Sequence, residues 1–182
     1  MIQNVESLLP KKYVLTGGPG VGKSTLIELL KGKGHEVVPE AARMVIGEEQ
    51  KKGSDMVPWD NLSKFQEAVA KRQLKNESAI TSGVAFLDRG IVDGYAYAKL
   101  GNIEAPREVI QNGRNRYEKV FLLKKLPTYE RDSARIEDKE MQESIHDMIE
   151  RSYREFGYEI VHVPAVSPAE RLEFILRSIG IL

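Results

Sequence analysis

Gly17-Gly18-Pro19-Gly20-Val21-Gly22-Lys23-Ser24 decides the fold. The octapeptide satisfies the pattern G-x-x-x-x-G-K-[ST] in full, and its surroundings match as well. Tyr13 to Thr16 before it reads as a strand. Lys23 to about Lys33 after it reads as a helix with Leu26, Leu29 and Leu30 on one face. Glycines let such a loop wrap an anion with its N–H groups, and the helix N-terminus adds positive potential. The expected cradle is formed by Gly18, Pro19, Gly20, Val21, Gly22, Lys23, Ser24 and Thr25. Lys23 is placed to reach the β- and γ-phosphates of a nucleoside triphosphate, Ser24 to ligate Mg²⁺, and Thr25 to lie beside the α-phosphate. The competing reading is a chance glycine turn, and strand, loop and helix in register argue against it.

Outward from the loop, short apolar runs alternate with longer helical stretches. Glu36 to Pro39, Val84 to Leu87, Val120 to Leu123 and Ile160 to Val163 read as strands. Ala41 to Lys52, Asn61 to about Thr81, Val92 to Leu100, Pro106 to Asn112, Glu140 to Phe156 and Pro168 to Ile179 read as helices. Lys124 to Asp138 is polar, with mixed charge, and is expected to be flexible. Strands alternating with helices imply an α/β fold: βαβ units, a five-stranded parallel sheet and helices on both faces. Ligands of such a sheet bind outside the carboxyl ends of its strands. Residues 1–182 are expected to form a single domain.

Composition narrows the chemistry. Lys plus Arg and Asp plus Glu each number 27, and this zero balance argues against a dedicated nucleic-acid binder. There is no cysteine, so thiolate nucleophiles, disulfides and Cys-bound metals are excluded. The three histidines form no metal-ligand spacing. No apolar run is long enough to span a bilayer, and no signal peptide is evident, so a cytoplasmic protein is expected. The DxxG and N-K-x-D strings of Ras-like GTPases and an LSGGQ-like signature are absent, and a motor with a separate helical lid domain finds no room.

Two more strand ends carry candidates. Val38-Pro39-Glu40 leads into Ala41-Ala42-Arg43. Glu40 can accept a proton from an attacking hydroxyl, or merely favour the helix N-terminus by its charge. Arg43, one turn on, can hold an anion. Phe86-Leu87-Asp88-Arg89-Gly90 resembles a Walker B strand. Asp88 can bind Mg²⁺ or act as base, and Arg89 can clamp a phosphoryl group, or the two can pair simply to fix the turn. Asp93 can cap the following helix or orient Arg89. Arg131 and Arg135 lie four apart in the segment after the fourth strand, expected at about residues 125–138 as a lid that neutralises transferring charge and excludes water. An ordinary solvated charged segment is the alternative. Trp59, Tyr95 and Tyr97 can stack on a ring or belong to the core. Pro164 to Pro168 can wall a base or form a turn with a Ser cap.

Taken in order, the glycine loop, the Glu40-Ala41-Ala42-Arg43 run, Asp88-Arg89-Gly90 with Asp93, and Tyr129 to Arg135 resemble the P-loop AAA domain family that includes ribosylnicotinamide kinase domains. More broadly the chain is similar to nucleoside and nucleoside-monophosphate kinases. The resemblance spans about Lys12 to Leu182. It implies a nucleoside-kinase-like sheet of order 2-3-1-4-5, ATP or GTP with Mg²⁺, a mobile arginine lid, and an acceptor site between Glu40, Asp88 and the helices after strands two and three. The expected function is phosphoryl transfer to a small-molecule acceptor, nucleoside-like or a nucleotide. Lys23, Glu40, Asp88, Arg89, Arg131 and Arg135 would carry it, with Ser24 and Asp88 at the metal. A nucleotide-dependent switch that binds a protein or lipid partner is the second expectation.

Overall fold

The computed structural model describes residues 9–81, 83–125 and 136–181. Its strands are β1 (Lys11–Thr16), β2 (Glu36–Val38), β3 (Val84–Asp88), β4 (Lys119–Leu123) and β5 (Ile160–Val163). Among the described residues the helices are α1 (Lys23–Gly32), α2 (Ala41–Lys52), α3 (Leu62–Ser78), α4 (Asp93–Leu100), α5 (Arg107–Asn112), α6 (Ile136–Glu155) and α7 (Pro168–Ser178). The five strands form one sheet of order β2-β3-β1-β4-β5, and every pairing is parallel.

Strand alternation sorts the core into two layers. Val14, Leu87, Val120 and Leu122 face one side, where they meet Ala70 of α3, Val92 just before α4, Ala96 of α4, and Ile149 and Tyr153 of α6. Tyr13, Leu15, Phe86, Phe121 and Leu123 face the other, against Leu26 and Leu30 of α1 and Leu172 and Ile175 of α7. Neighbouring strand residues point to opposite faces. Because both faces are covered, the central strands read as continuous apolar runs rather than as alternating ones. Among the described residues, no helix is long and apolar enough to cross a membrane.

Element ends differ from the sequence expectation where local chemistry decides them. β1 begins two residues earlier, because the N–H of Lys11 donates to the Gly83 carbonyl and its register continues onto Val84. α3 begins after Asn61, whose side chain accepts from the Lys64 N–H, and it stops at Ser78. α6 begins at Ile136, inside the stretch expected to be flexible. The Pro164 to Pro168 stretch includes a cap. Ser167 and Glu170 form a reciprocal capping box, with Pro168 in the first turn of α7.

That cap generates a stability prediction. Ser167→Ala removes the acceptor for the Glu170 N–H and should lower unfolding stability by about 1 kcal/mol. The check is urea denaturation, read as a lower midpoint at unchanged slope.

Candidate active site

The carboxyl ends of β1, β2 and β3 lie side by side, and each contributes one piece of the site. From β1 comes the glycine loop. The Lys23 ammonium donates to the carbonyls of Gly17 at 3.1 Å and Gly18 at 3.2 Å, so it lies folded across the loop. The Gly18 N–H donates to His146 Nδ1 of α6 at 3.3 Å. α6 approaches so closely that a Cβ on Gly18 would lie 2.9 Å from the Gln142 carbonyl oxygen, which is why only glycine fits there.

From β3 comes the charged turn. Arg89 sits at φ +70°, in the left-handed region. This backbone turns its guanidinium away from Asp88 and toward three other partners. Nε donates to Glu40 Oε1 at 3.0 Å, and Nη1 donates to Asp93 Oδ1 at 2.8 Å and to the Gly17 carbonyl at 3.3 Å. The Tyr97 ring lies under the guanidinium, 5.5 Å from its centroid. Burial opposes the charge, but Asp93, Tyr97 and Glu40 outweigh it and hold the guanidinium's pKa above its ordinary value.

Asp93 orients Arg89 but does not cap α4: the N-cap is Val92, no side-chain cap bond forms there, and the Asp93 carboxylate instead binds back to the turn before it. Oδ1 accepts from the Thr16 hydroxyl at 2.6 Å as well as from Arg89, and Oδ2 accepts from the Gly90 N–H at 3.1 Å and the Tyr153 hydroxyl at 2.7 Å. Glu40, at the end of β2, precedes α2 but makes no side-chain cap bond. Its oxygens are instead shared between Arg89 and Arg43, the latter at 2.9 Å. The residue expected to hold an external anion, Arg43, is thus paired with Glu40.

Asp88 stands apart. The residue is 8 % exposed, and its Oδ1 is buried without a hydrogen-bond partner. Burial and the nearby charge of Glu40 raise its pKa, against the attraction of Lys23 and Arg89. Burial and the charge of Arg89 lower the Lys23 pKa to about 8.

Two cavities meet here. One, of about 410 Å³, is lined by Gly20 to Ser24, Arg43 and Asp88, and also by Glu40 and Arg89. The other, of about 210 Å³, has apolar walls from Ile46 of α2, Leu62, Phe65 and Val69 of α3, and Tyr97 of α4, and again reaches Glu40 and Arg89. Gln66 also lines it. This residue is 5 % exposed, and no described residue pairs with its carboxamide.

The structure brings together Lys23, Ser24, Glu40, Asp88 and Arg89. Arg131 and Arg135 lie outside the described residues, as do residues 126–135 of the expected lid, while its last three positions, 136–138, belong to α6. Of the three candidate stacking aromatics, Tyr97 lines the apolar cavity. Tyr95 packs edge-on to Phe156, with centroids 5.0 Å apart. Trp59 is 63 % exposed and does not line the apolar cavity, although its sequence neighbour Pro58 does. Sequence reading missed Thr16, His146, Tyr153 and Arg171, which all contact the loop or the turn. The available signals were weak. His146 and Arg171 lie on the margins of the apolar stripes of α6 and α7.

The sequence model of the AAA domain family matches residues 12–171. Solved structures share the fold. NadR protein in complex with NAD and AMP-PNP superposes with a TM-score of 0.66 at 18 % identity, over 96 % of this chain and 51 % of that one. This chain therefore spans about half the length of NadR. YorR protein from Bacillus subtilis, in complex with phosphorylated GDP, gives a TM-score of 0.59 at 17 % identity, over 94 % of this chain and 96 % of that one. Deoxyadenosine kinase from M. mycoides gives 0.55 at 18 % identity, over 94 % of this chain and all of that one. No curated protein matches the sequence.

The electrostatics of the larger cavity make a pH prediction. Lys23 is protonated below about pH 8 and neutral above it. Binding of inorganic tripolyphosphate, followed by calorimetry, should therefore weaken as pH rises through that value. A profile that stays flat across it contradicts the assignment of Lys23 to the anion.

Proposed function

The chain belongs to the AAA domain family, and from that premise we propose that it is an ATP- and Mg²⁺-dependent kinase that phosphorylates a hydroxyl or phosphate of a small, ring-bearing acceptor. One observation carries the reading: Glu40 and Arg89 line both cavities at once. A donor in the glycine-loop cavity and an acceptor in the apolar one would meet at these two side chains.

The roles divide by position. Lys23 and the loop N–H groups would hold the β- and γ-phosphates. Glu40, at the junction, would accept the proton of the attacking hydroxyl as its oxygen bonds the γ-phosphorus and the bond from that phosphorus to the β–γ bridging oxygen breaks, releasing ADP. Arg89 would stabilise the charge gathering on the transferring group. Asp88 reaches only the phosphate side. Its orphaned Oδ1 and the Ser24 hydroxyl in the same cavity are hard oxygen donors that fit Mg²⁺. Bound there, Mg²⁺ would neutralise charge between the phosphates. Arg131 and Arg135 are assigned to the transferring phosphoryl group, within a lid at residues 125–138 of a single domain, on the sequence argument alone.

The apolar walls suit a planar ring, and the unpaired Gln66 carboxamide offers one donor and one acceptor to its polar edge. NadR, YorR and the deoxyadenosine kinase are described with nucleotides, which accords with a nucleoside-like acceptor. An acceptor cavity beside the loop also favours a kinase over a switch.

ATP consumption across a panel of nucleosides, nucleotides and vitamin precursors tests the proposal. At least one compound should accelerate it. If none does, while a protein or lipid binds only the triphosphate-loaded form, the switch replaces the kinase. Lys23→Ala should abolish phosphotransfer with the fold intact. Glu40→Gln should lower kcat by about 10²-fold or more with little change in the KM for ATP. Trp59 is the only tryptophan in the chain and directly follows Pro58, which lines the apolar cavity, so its emission should shift when the true acceptor fills that cavity.

A further inference from the structure

Arg171, on α7, is 1 % exposed. Its guanidinium donates to three backbone carbonyls, each from a different loop. Nη1 reaches Val21 at 2.6 Å, Nη2 reaches Lys124 at 2.6 Å, and Nε reaches Pro164 at 2.8 Å. These loops follow β1, β4 and β5. Among the described residues no carboxylate pairs with Arg171. A buried guanidinium without a counter-charge is costly, and arginine does not escape the cost by losing its proton.

The bond to Val21 suggests what is gained. No peptide in the described chain is cis. In a planar trans peptide the C=O and the following N–H point in opposite directions. Holding the Val21 carbonyl toward α7 therefore turns the Gly22 N–H the other way. Val21 packs its side chain into the core with Leu172 and Ile175, so α7 lies behind the loop. Gly22 lines the cavity shared with Lys23 and Ser24, in front of it. No described residue accepts the Gly22 N–H. Gly22, at φ +87°, follows this peptide directly, and Gly20, at φ +72°, precedes Val21. The glycine on its C-terminal side lets this peptide rotate more easily than one between two substituted residues, unless something holds it.

We propose that Arg171 is a positioning residue for the triphosphate: it locks the Val21–Gly22 peptide so that the Gly22 N–H faces the anion, and it keeps an unpaired positive charge behind the loop for the polyphosphate to balance. This rests on the phosphate-loop part of the proposed function.

The test titrates inorganic tripolyphosphate into the wild type, Arg171→Met and Arg171→Lys, without Mg²⁺ or acceptor. Calorimetry gives the affinity, and ¹⁵N-labelled protein gives the Gly22 amide resonance. The wild type should bind with a large Gly22 shift. Arg171→Met should bind about tenfold more weakly or worse, with the Gly22 shift lost. Arg171→Lys keeps the charge but cannot span three carbonyls, so it should lie between in affinity with a reduced Gly22 shift. It also stands as the test if the Met variant does not fold. A folded variant with wild-type affinity and a wild-type Gly22 shift overturns the inference, even if its melting temperature falls. That outcome differs from a wild type that binds no tripolyphosphate, which would overturn the phosphate-loop reading and this inference with it.

Discussion

The carboxylate of Asp93 is the point on which the site geometry rests. It is 4 % exposed, and its two oxygens accept from four donors on three parts of the chain. Thr16 belongs to the end of β1, Arg89 and Gly90 to the turn after β3, and Tyr153 to α6. A buried carboxylate is tolerable only when it is satisfied in this way, and removing any one partner leaves the others mispaired. The turn, the start of α4 and the end of β1 are thereby fixed relative to one another. Arg89 is then aimed at Glu40 and the Gly17 carbonyl rather than at solvent. Without Asp93 the two cavities would lose the wall they share.

Packing supplies the frame for that centre. Parallel strands with both faces covered leave polar groups only at the strand ends. A second buried carboxylate braces the same turn from behind. Glu77 of α3, 1 % exposed, accepts from Gln73 and from the Tyr117 hydroxyl. Gln73 also donates to the Arg89 carbonyl at 3.3 Å, and the Tyr117 hydroxyl accepts from the Ile91 N–H at 2.6 Å. Lys12 and Arg116 balance its charge. The turn that carries Arg89 is thus held on one side by Asp93 and on the other by the Glu77 network.

Much of this was legible in the sequence, and the limits have a physical cause. The glycine loop, the five strands and the candidate residues at strand ends follow from local pattern, because loop chemistry and side-chain periodicity are local. The partners of Arg89 are not local. Asp88 is its neighbour in sequence, yet the left-handed backbone at Arg89 sends the guanidinium to Glu40, 49 positions away. Arg43 is spaced to face an anion, and the anion it meets is the chain's own Glu40. Arg171 looks like a solvated helix residue until the loops after β1, β4 and β5 converge on it. Such contacts bridge up to 150 residues of sequence, as Arg171 does to Val21, and no windowed pattern can report them.

The left-handed backbone at Arg89 has an energetic consequence. A side chain other than glycine in that region costs roughly 1–2 kcal/mol. Glycine at position 89 would relieve the strain, but it would also delete the guanidinium that joins Glu40, Asp93 and the loop. Backbone strain and charge placement therefore pull in opposite directions at one residue, and the charge prevails because deleting it would take a donor from the largely buried oxygens of Glu40 and Asp93. The arginine marks where the chain accepts local backbone strain to keep a charge in place.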